Sequence, residues 1–92
     1  MSSKSSPLFT EKQGQYLAFI HAYTLLNRQP PAEADFRRFF EVTPPAVHDM
    51  ILALERRGLI SRVPRQSRSI KLTVSPADLP QLQSIESSVA RY

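Results

Sequence analysis

Six cations stand between Arg56 and Lys71 with no carboxylate among them: Arg56, Arg57, Arg62, Arg65, Arg68 and Lys71. They are half of the 12 basic side chains in a chain of 92 residues and net charge +4. Phosphate suits such a cluster, because a guanidinium donates paired hydrogen bonds to phosphate oxygens. Just upstream lie His48 and Asp49, whose chemistry suits base edges: an imidazole can donate to a purine acceptor, and a carboxylate can accept from a cytosine amino group. His48 equally fits an ordinary surface histidine. No glycine-rich phosphate loop, nucleophile elbow or acidic pair with an obvious cleft is present, and without cysteine there is neither a disulfide nor a thiolate metal site. The two histidines, His21 and His48, stand far apart in the sequence, so no metal, no cofactor and no catalysis are expected.

These residues need a helix and a hairpin to present them. Thr43 can cap a helix, and Pro44 and Pro45 have no N–H to lose in its first turn. Val47, Ile51 and Leu54 then recur on one face, while Ala46, His48, Asp49 and Ala53 fall on others. Arg56 and Arg57 suit the negative end of the helix dipole, and Gly58 supplies a left-handed stop. Leu59 to Val63 leans to β, Pro64 to Ser67 is turn-like, and Ser69 to Val74 alternates at period two. Helix, hairpin and basic tip together predict a winged helix-turn-helix.

Two helices must precede this unit. Thr10 to Gln13 forms a capping box that opens a helix to about Asn27, with Leu17, Ile20 and Thr24 on one face, widened by Tyr16, Phe19, Tyr23 and Leu26. Pro30 and Pro31 end it. Glu33 to Asp35 brings acid to a second helix start, with Phe36, Phe39 and Phe40 as its apolar face up to about Glu41. Residues 1–8 are expected as a flexible arm, 9–75 as the winged-helix domain and 76–92 as a C-terminal extension. In that extension Asp78 to Gln81 suggests a second capping box, and Leu79, Leu82, Ile85 and Val89 suggest a helix over about 79–90. Its stripe either packs on the first helix or forms a dimer contact with Phe19, Tyr23 and Leu26. The fold class is therefore mainly α with a small β-hairpin, a three-helix core plus wing with an additional C-terminal helix.

The motifs Leu8-Phe-Thr-Glu-Lys-Gln13, Leu17-Ala-Phe-Ile20, Pro30-Pro31, Val47-His48, Leu52-Ala-Leu-Glu-Arg-Arg-Gly58 with Ile60, and Ser67-Arg-Ser-Ile-Lys-Leu72 carry a resemblance. Over about residues 8–74 the chain resembles the N-terminal DNA-binding domain of LexA-type repressors and, more loosely, MarR-type winged helices. The resemblance implies that the third helix enters the major groove with its N-terminal half near base edges, and that the wing follows the backbone. Base contacts then fall to Thr43, Pro45, Ala46, His48 and Asp49. Backbone contacts fall to Arg56, Arg57, Arg62, Arg65, Ser67 and Arg68, with Arg65 or Arg68 at the wing tip suited to the minor groove. Pro44 and Pro45 replace more polar residues in a turn one residue shorter than usual, so base specificity does not transfer. Nor does self-cleavage. The peptidase domain of such repressors is not expected in 92 residues, and the two glycines, Gly14 after Gln13 and Gly58 after Arg57, form no Ala-Gly scissile bond.

The expected protein is a sequence-specific DNA-binding transcriptional regulator, a repressor because repression needs only promoter occupancy. Its expected partner is double-stranded DNA with a palindromic operator, bound by a homodimer. No apolar run approaches the roughly 20 residues of a membrane span, so a cytoplasmic, nucleoid-associated, bacterial protein is expected. The alternative is a protein-interaction module that docks through Phe36, Phe39, Phe40 and the C-terminal stripe.

Overall fold

The computed structural model describes residues 8–83. Within them run α1 (Glu11–Asn27), α2 (Glu33–Phe40), α3 (Pro44–Arg56), β1 (Ile60–Ser61) and β2 (Lys71–Leu72), followed by a 3-10 turn at Pro76–Asp78. The strands pair antiparallel with Ile60 opposite Leu72 and Ser61 opposite Lys71. A three-helix core with a two-stranded wing is the winged helix-turn-helix expected from the sequence.

Local chemistry sets the helix ends. Thr10 Oγ1 accepts from the Gln13 N–H at 3.1 Å while Gln13 Oε1 accepts from the Thr10 N–H at 3.0 Å, a closed capping box. Thr43 caps α3 ahead of its two prolines. At the far end of α3, Gly58 donates to Glu55 O at 2.9 Å and Leu59 to Leu54 O at 3.0 Å. That paired closure turns the chain through a left-handed residue, and Gly58 has φ 75°. The hairpin therefore leaves α3 in a fixed direction.

The core is aromatic. Tyr16 stacks between Phe36, at 5.5 Å between centroids, and Phe40, at 4.5 Å. Phe19 lies 4.9 to 5.6 Å from Phe36, Phe39 and Phe40. Burial of the Tyr16 phenol pushes its pKa up to about 12. Val47, Ile51 and Leu54 of α3 close the other side, with Leu59, Ile60 and Ile70 from the base of the wing. Two expectations are corrected here. Phe19 is 6% exposed and belongs to the core, so it offers no outer face to a second copy. Phe36 and Phe40 are fully buried and Phe39 is half-buried against the core, so Phe36 and Phe40 are not available for docking.

The C-terminal extension is corrected as well. Leu79 has φ −86° and ψ 146°, and residues 79–83 form no helix; Ile85 and Val89 lie outside the described residues. Pro80 explains the start of this, since the ring of a proline drives the preceding residue out of the α region. Buried Gln15 then clips the extended chain: its Nε2 donates to Gln81 O and its Oε1 accepts from the Gln83 N–H, each at 2.9 Å. Leu79 and Leu82 pack on the chain's own core. Gly14 allows the close approach, because a Cβ there would stand 3.0 Å from both Phe9 and Pro80. Ser75, rather than Asp78, caps the short turn, accepting from the Ala77 N–H at 3.2 Å. At the other end Leu8, expected within the arm, is anchored where its carbonyl accepts from Arg57 Nη2 at 2.9 Å.

Replacing a fully buried aromatic removes its packing and leaves a cavity, at a cost of about 3–5 kcal/mol. Phe40→Ala should therefore lower the unfolding free energy in urea by that amount, and half-buried Phe39→Ala by clearly less.

Candidate nucleic-acid interface

Helix α3 separates its surfaces cleanly. Val47, Ile51 and Leu54 are fully buried, whereas Pro44, Pro45, Ala46, His48, Asp49 and Arg56 are exposed. Pro45, Asp49 and Arg56 follow one another at helical spacing, so one stripe runs from the capped start to the basic end. A helix with one such bare stripe fits the width of a DNA major groove. His48 is less free than Asp49: its Nδ1 lies 3.4 Å from Glu33 Oε2 at the start of α2, a partner fifteen residues away that no local pattern points to.

The wing tip is a chain of small devices. Val63, Pro64, Arg65 and Gln66 form a turn closed by the Gln66 N–H on Val63 O at 3.1 Å. Proline at the second position and φ 66° at Arg65 match a type II turn, in which the third residue is ordinarily glycine. The paired strands are shorter than the alternation suggested, because a side chain takes over from the ladder. Ser69 Oγ accepts from the Val63 N–H at 3.0 Å and lies 2.8 Å from Gln66 O.

Arg68 turns inward. Its Nη1 donates to Tyr23 Oη at 3.1 Å, Pro30 O at 3.1 Å and Asp35 Oδ2 at 3.2 Å, and the guanidinium lies 5.9 Å from the Tyr23 ring centroid. Asp35 also accepts from the Ala32 N–H at 2.8 Å and from Arg38 Nη2 at 2.6 Å. Burial pushes the Asp35 carboxyl up, but the Ala32 N–H, the charge of Arg68 and the bonds from Tyr23 and Arg38 together outweigh it and hold it below the usual carboxylate value. The bond to Tyr23 foremost, and then Asp35, raise Arg68 against the effect of its own desolvation.

The expected phosphate residues thus divide. Arg62 Nε pairs with Glu55 Oε1 at 3.0 Å, binding the wing to the last turn of α3. Arg57 holds Leu8, and Arg68 holds Asp35. Arg56 and Arg65 are exposed and have no ion-pair partner among the described residues. A cleft of about 360 Å³ lies between the start of α2, Ile51 of α3 and wing residues 65–70, with Arg62, Arg65 and Arg68 along it and apolar Pro31 and Ile70 in its walls. Sequence reasoning passed over Asp35 as a helix-dipole acid and left Tyr23 on an outer stripe. The one available signal was an acid set directly beside Phe36, where burial demands a partner.

A capped recognition-type helix, a left-handed stop and a basic hairpin across a cleft define the winged helix-turn-helix class. Within that class, the model of the LexA DNA-binding domain matches residues 5–69, and the chain belongs to this family. It is 43% identical over 63 residues to the LexA repressor of Thermosipho melanesiensis, covering 68% of this chain and 32% of that protein. Identity to the LexA repressor of Thermosipho africanus is 40% over 67 residues, 73% of this chain and 34% of the relative. For the LexA repressor of Thermotoga maritima it is 32% over 66 residues, 72% of this chain and 34% of the relative. The chain spans about a third of the length of these relatives.

Ionised Asp35 stabilises the fold above the ordinary carboxylate pKa of about 3.9, and that contribution disappears as pH falls through its lower folded value. Urea unfolding followed downward from about pH 5 should show this loss in the wild type. Asp35→Asn should be less stable at neutral pH and show a shallower acid dependence; an unchanged slope would mean that Asp35 does not titrate with folding.

Proposed function

We propose that this protein is a sequence-specific DNA-binding transcriptional repressor. The observation that carries the reading is the bare stripe of α3, ending in Arg56, which faces solvent in the same domain as a wing whose tip presents Arg65. Thr43, Pro45, Ala46, His48 and Asp49 are assigned to the major groove. Arg56, Arg65 and Ser67 are assigned to the sugar-phosphate backbone. Arg65 holds a left-handed conformation that costs about 1–2 kcal/mol for a residue with a Cβ. A charged residue at a position suited to glycine supports selection for its guanidinium, at the minor groove.

Occupancy of a promoter suffices for this role, so the reading assigns no catalysis to the chain. A palindromic operator bound by two copies, in the cytoplasm and on the nucleoid, completes the proposal. No helix among the described residues is long and apolar enough to cross a membrane. With Leu79 and Leu82 packed internally, the exposed pair Leu25 and Leu26, 68% and 83% exposed, is a better candidate for contact between copies than the C-terminal stripe.

Each phosphate contact on duplex DNA releases about 0.9 counterion, so the two exposed arginines without a partner, Arg56 and Arg65, predict a log–log salt slope of about −1.8 per subunit, roughly 12-fold in affinity between about 50 and 200 mM. Arg65→Ala should reduce that slope by about one and weaken binding to all sequences alike. A slope near zero in a fluorescence-anisotropy titration would eliminate the phosphate contacts.

Base preference should follow the α3 stripe. Selection from random duplexes with Asp49→Ala or His48→Ala should return an altered motif, each losing about 1–3 kcal/mol at the affected position. An unchanged motif from both variants would remove these residues from the base contacts.

A further inference from the structure

Asp35 has no role in the DNA contacts proposed above, yet it is 8% exposed and joins four parts of the chain. It takes Arg38 on Oδ1, and the Ala32 N–H and Arg68 on Oδ2. The Arg68 nitrogen that reaches it also reaches Tyr23 Oη on α1 and the Pro30 carbonyl between the helices. Arg68 has φ 56°, a conformation disfavoured for any residue with a Cβ, and sits three residues beyond Arg65. A backbone in that state persists when its surroundings over-determine it. Here the side chain reaches from the wing tip back to α1 and α2, and it is held by a desolvated carboxylate, a phenol and a backbone carbonyl.

We propose that Asp35 and Tyr23 are positioning residues for DNA binding: they hold Arg68 in its left-handed conformation and so fix how the wing tip, with Arg65, projects beside α3. This rests on the DNA-binding reading. Arg68 then supports affinity through geometry and neutralises no phosphate itself. Charge alone makes the opposite statement about Asp35, since deleting a negative charge from a DNA-binding protein strengthens binding. The sign of the effect therefore separates positioning from bulk electrostatics.

The test uses the full chain with Asp35→Asn, Arg68→Gln, their double variant, and Tyr23→Phe as a milder change that keeps the ring. Hydrogen exchange is read on the free protein, and binding to mixed-sequence duplexes of about 20 base pairs is titrated with salt, corrected for the folded fraction. The Val63 and Gln66 amides, which close the wing turn, should exchange about tenfold faster in Asp35→Asn and Arg68→Gln, while the Leu54 and Ile20 amides keep their wild-type rates relative to global unfolding. Both variants should bind about tenfold more weakly with an unchanged salt slope, and the double variant no more weakly than the worse single one. Tyr23→Phe should shift both readouts in the same direction by less. Tighter binding by Asp35→Asn, a salt slope reduced by about one in Arg68→Gln, or wing amides that exchange at wild-type rates would each overturn the proposal. If the wild type binds no duplex at any salt, the DNA reading itself fails, and the exchange rates still decide whether Asp35 holds the wing.

Discussion

A carboxylate enclosed by protein at the start of a helix must find donors, and the rest of this structure is arranged around Asp35 finding them. Desolvation disfavours its charge, and only hydrogen bonds and nearby cations restore it. The donors come from separate places: the backbone at Ala32, Arg38 one turn along α2, Tyr23 on α1 and Arg68 on the wing. Removing any one leaves a buried charge less well satisfied, so the helix pair and the hairpin are coupled through a single side chain. The wing, with two residues in each strand, has too short a ladder to hold its own direction.

The aromatic core makes that coupling possible. Tyr16, Phe19, Phe36 and Phe40 form a continuous stack and edge contact between α1 and α2, which fixes where Asp35 and Tyr23 stand. The same core receives Val47, Ile51 and Leu54, so α3 is pinned along one face and bare along the other. The core and the candidate interface therefore share α3 but use opposite faces of it. Three of the arginines that looked equivalent in the sequence hold the structure to itself: Arg57 to Leu8, Arg62 to Glu55 and Arg68 to Asp35. The outward charge of the tip rests with Arg65, on a turn that Pro64 prepares and Ser69 ties.

The amino-acid sequence by itself determined the three helices, the caps that open α1 and α3 and the left-handed stop at Gly58, because each depends on residues within a few positions of one another. Thr10 with Gln13, Thr43 with its prolines, and Val47, Ile51 and Leu54 are local patterns, and local patterns survive without tertiary knowledge. The exposed stripe of α3 followed from the same periodicity. Tertiary structure alone decided which cations are free, since Glu55, Asp35 and the Leu8 carbonyl are brought to Arg62, Arg68 and Arg57 by folding. It also decided the path of Leu79 to Gln83, where helical spacing lost to Pro80 and to the two hydrogen bonds offered by Gln15, more than sixty residues away in the chain. Spacing records which side chains share a face; whether a face meets water, a carboxylate or the protein's own backbone depends on groups far away in sequence, and only the packed chain brings them together.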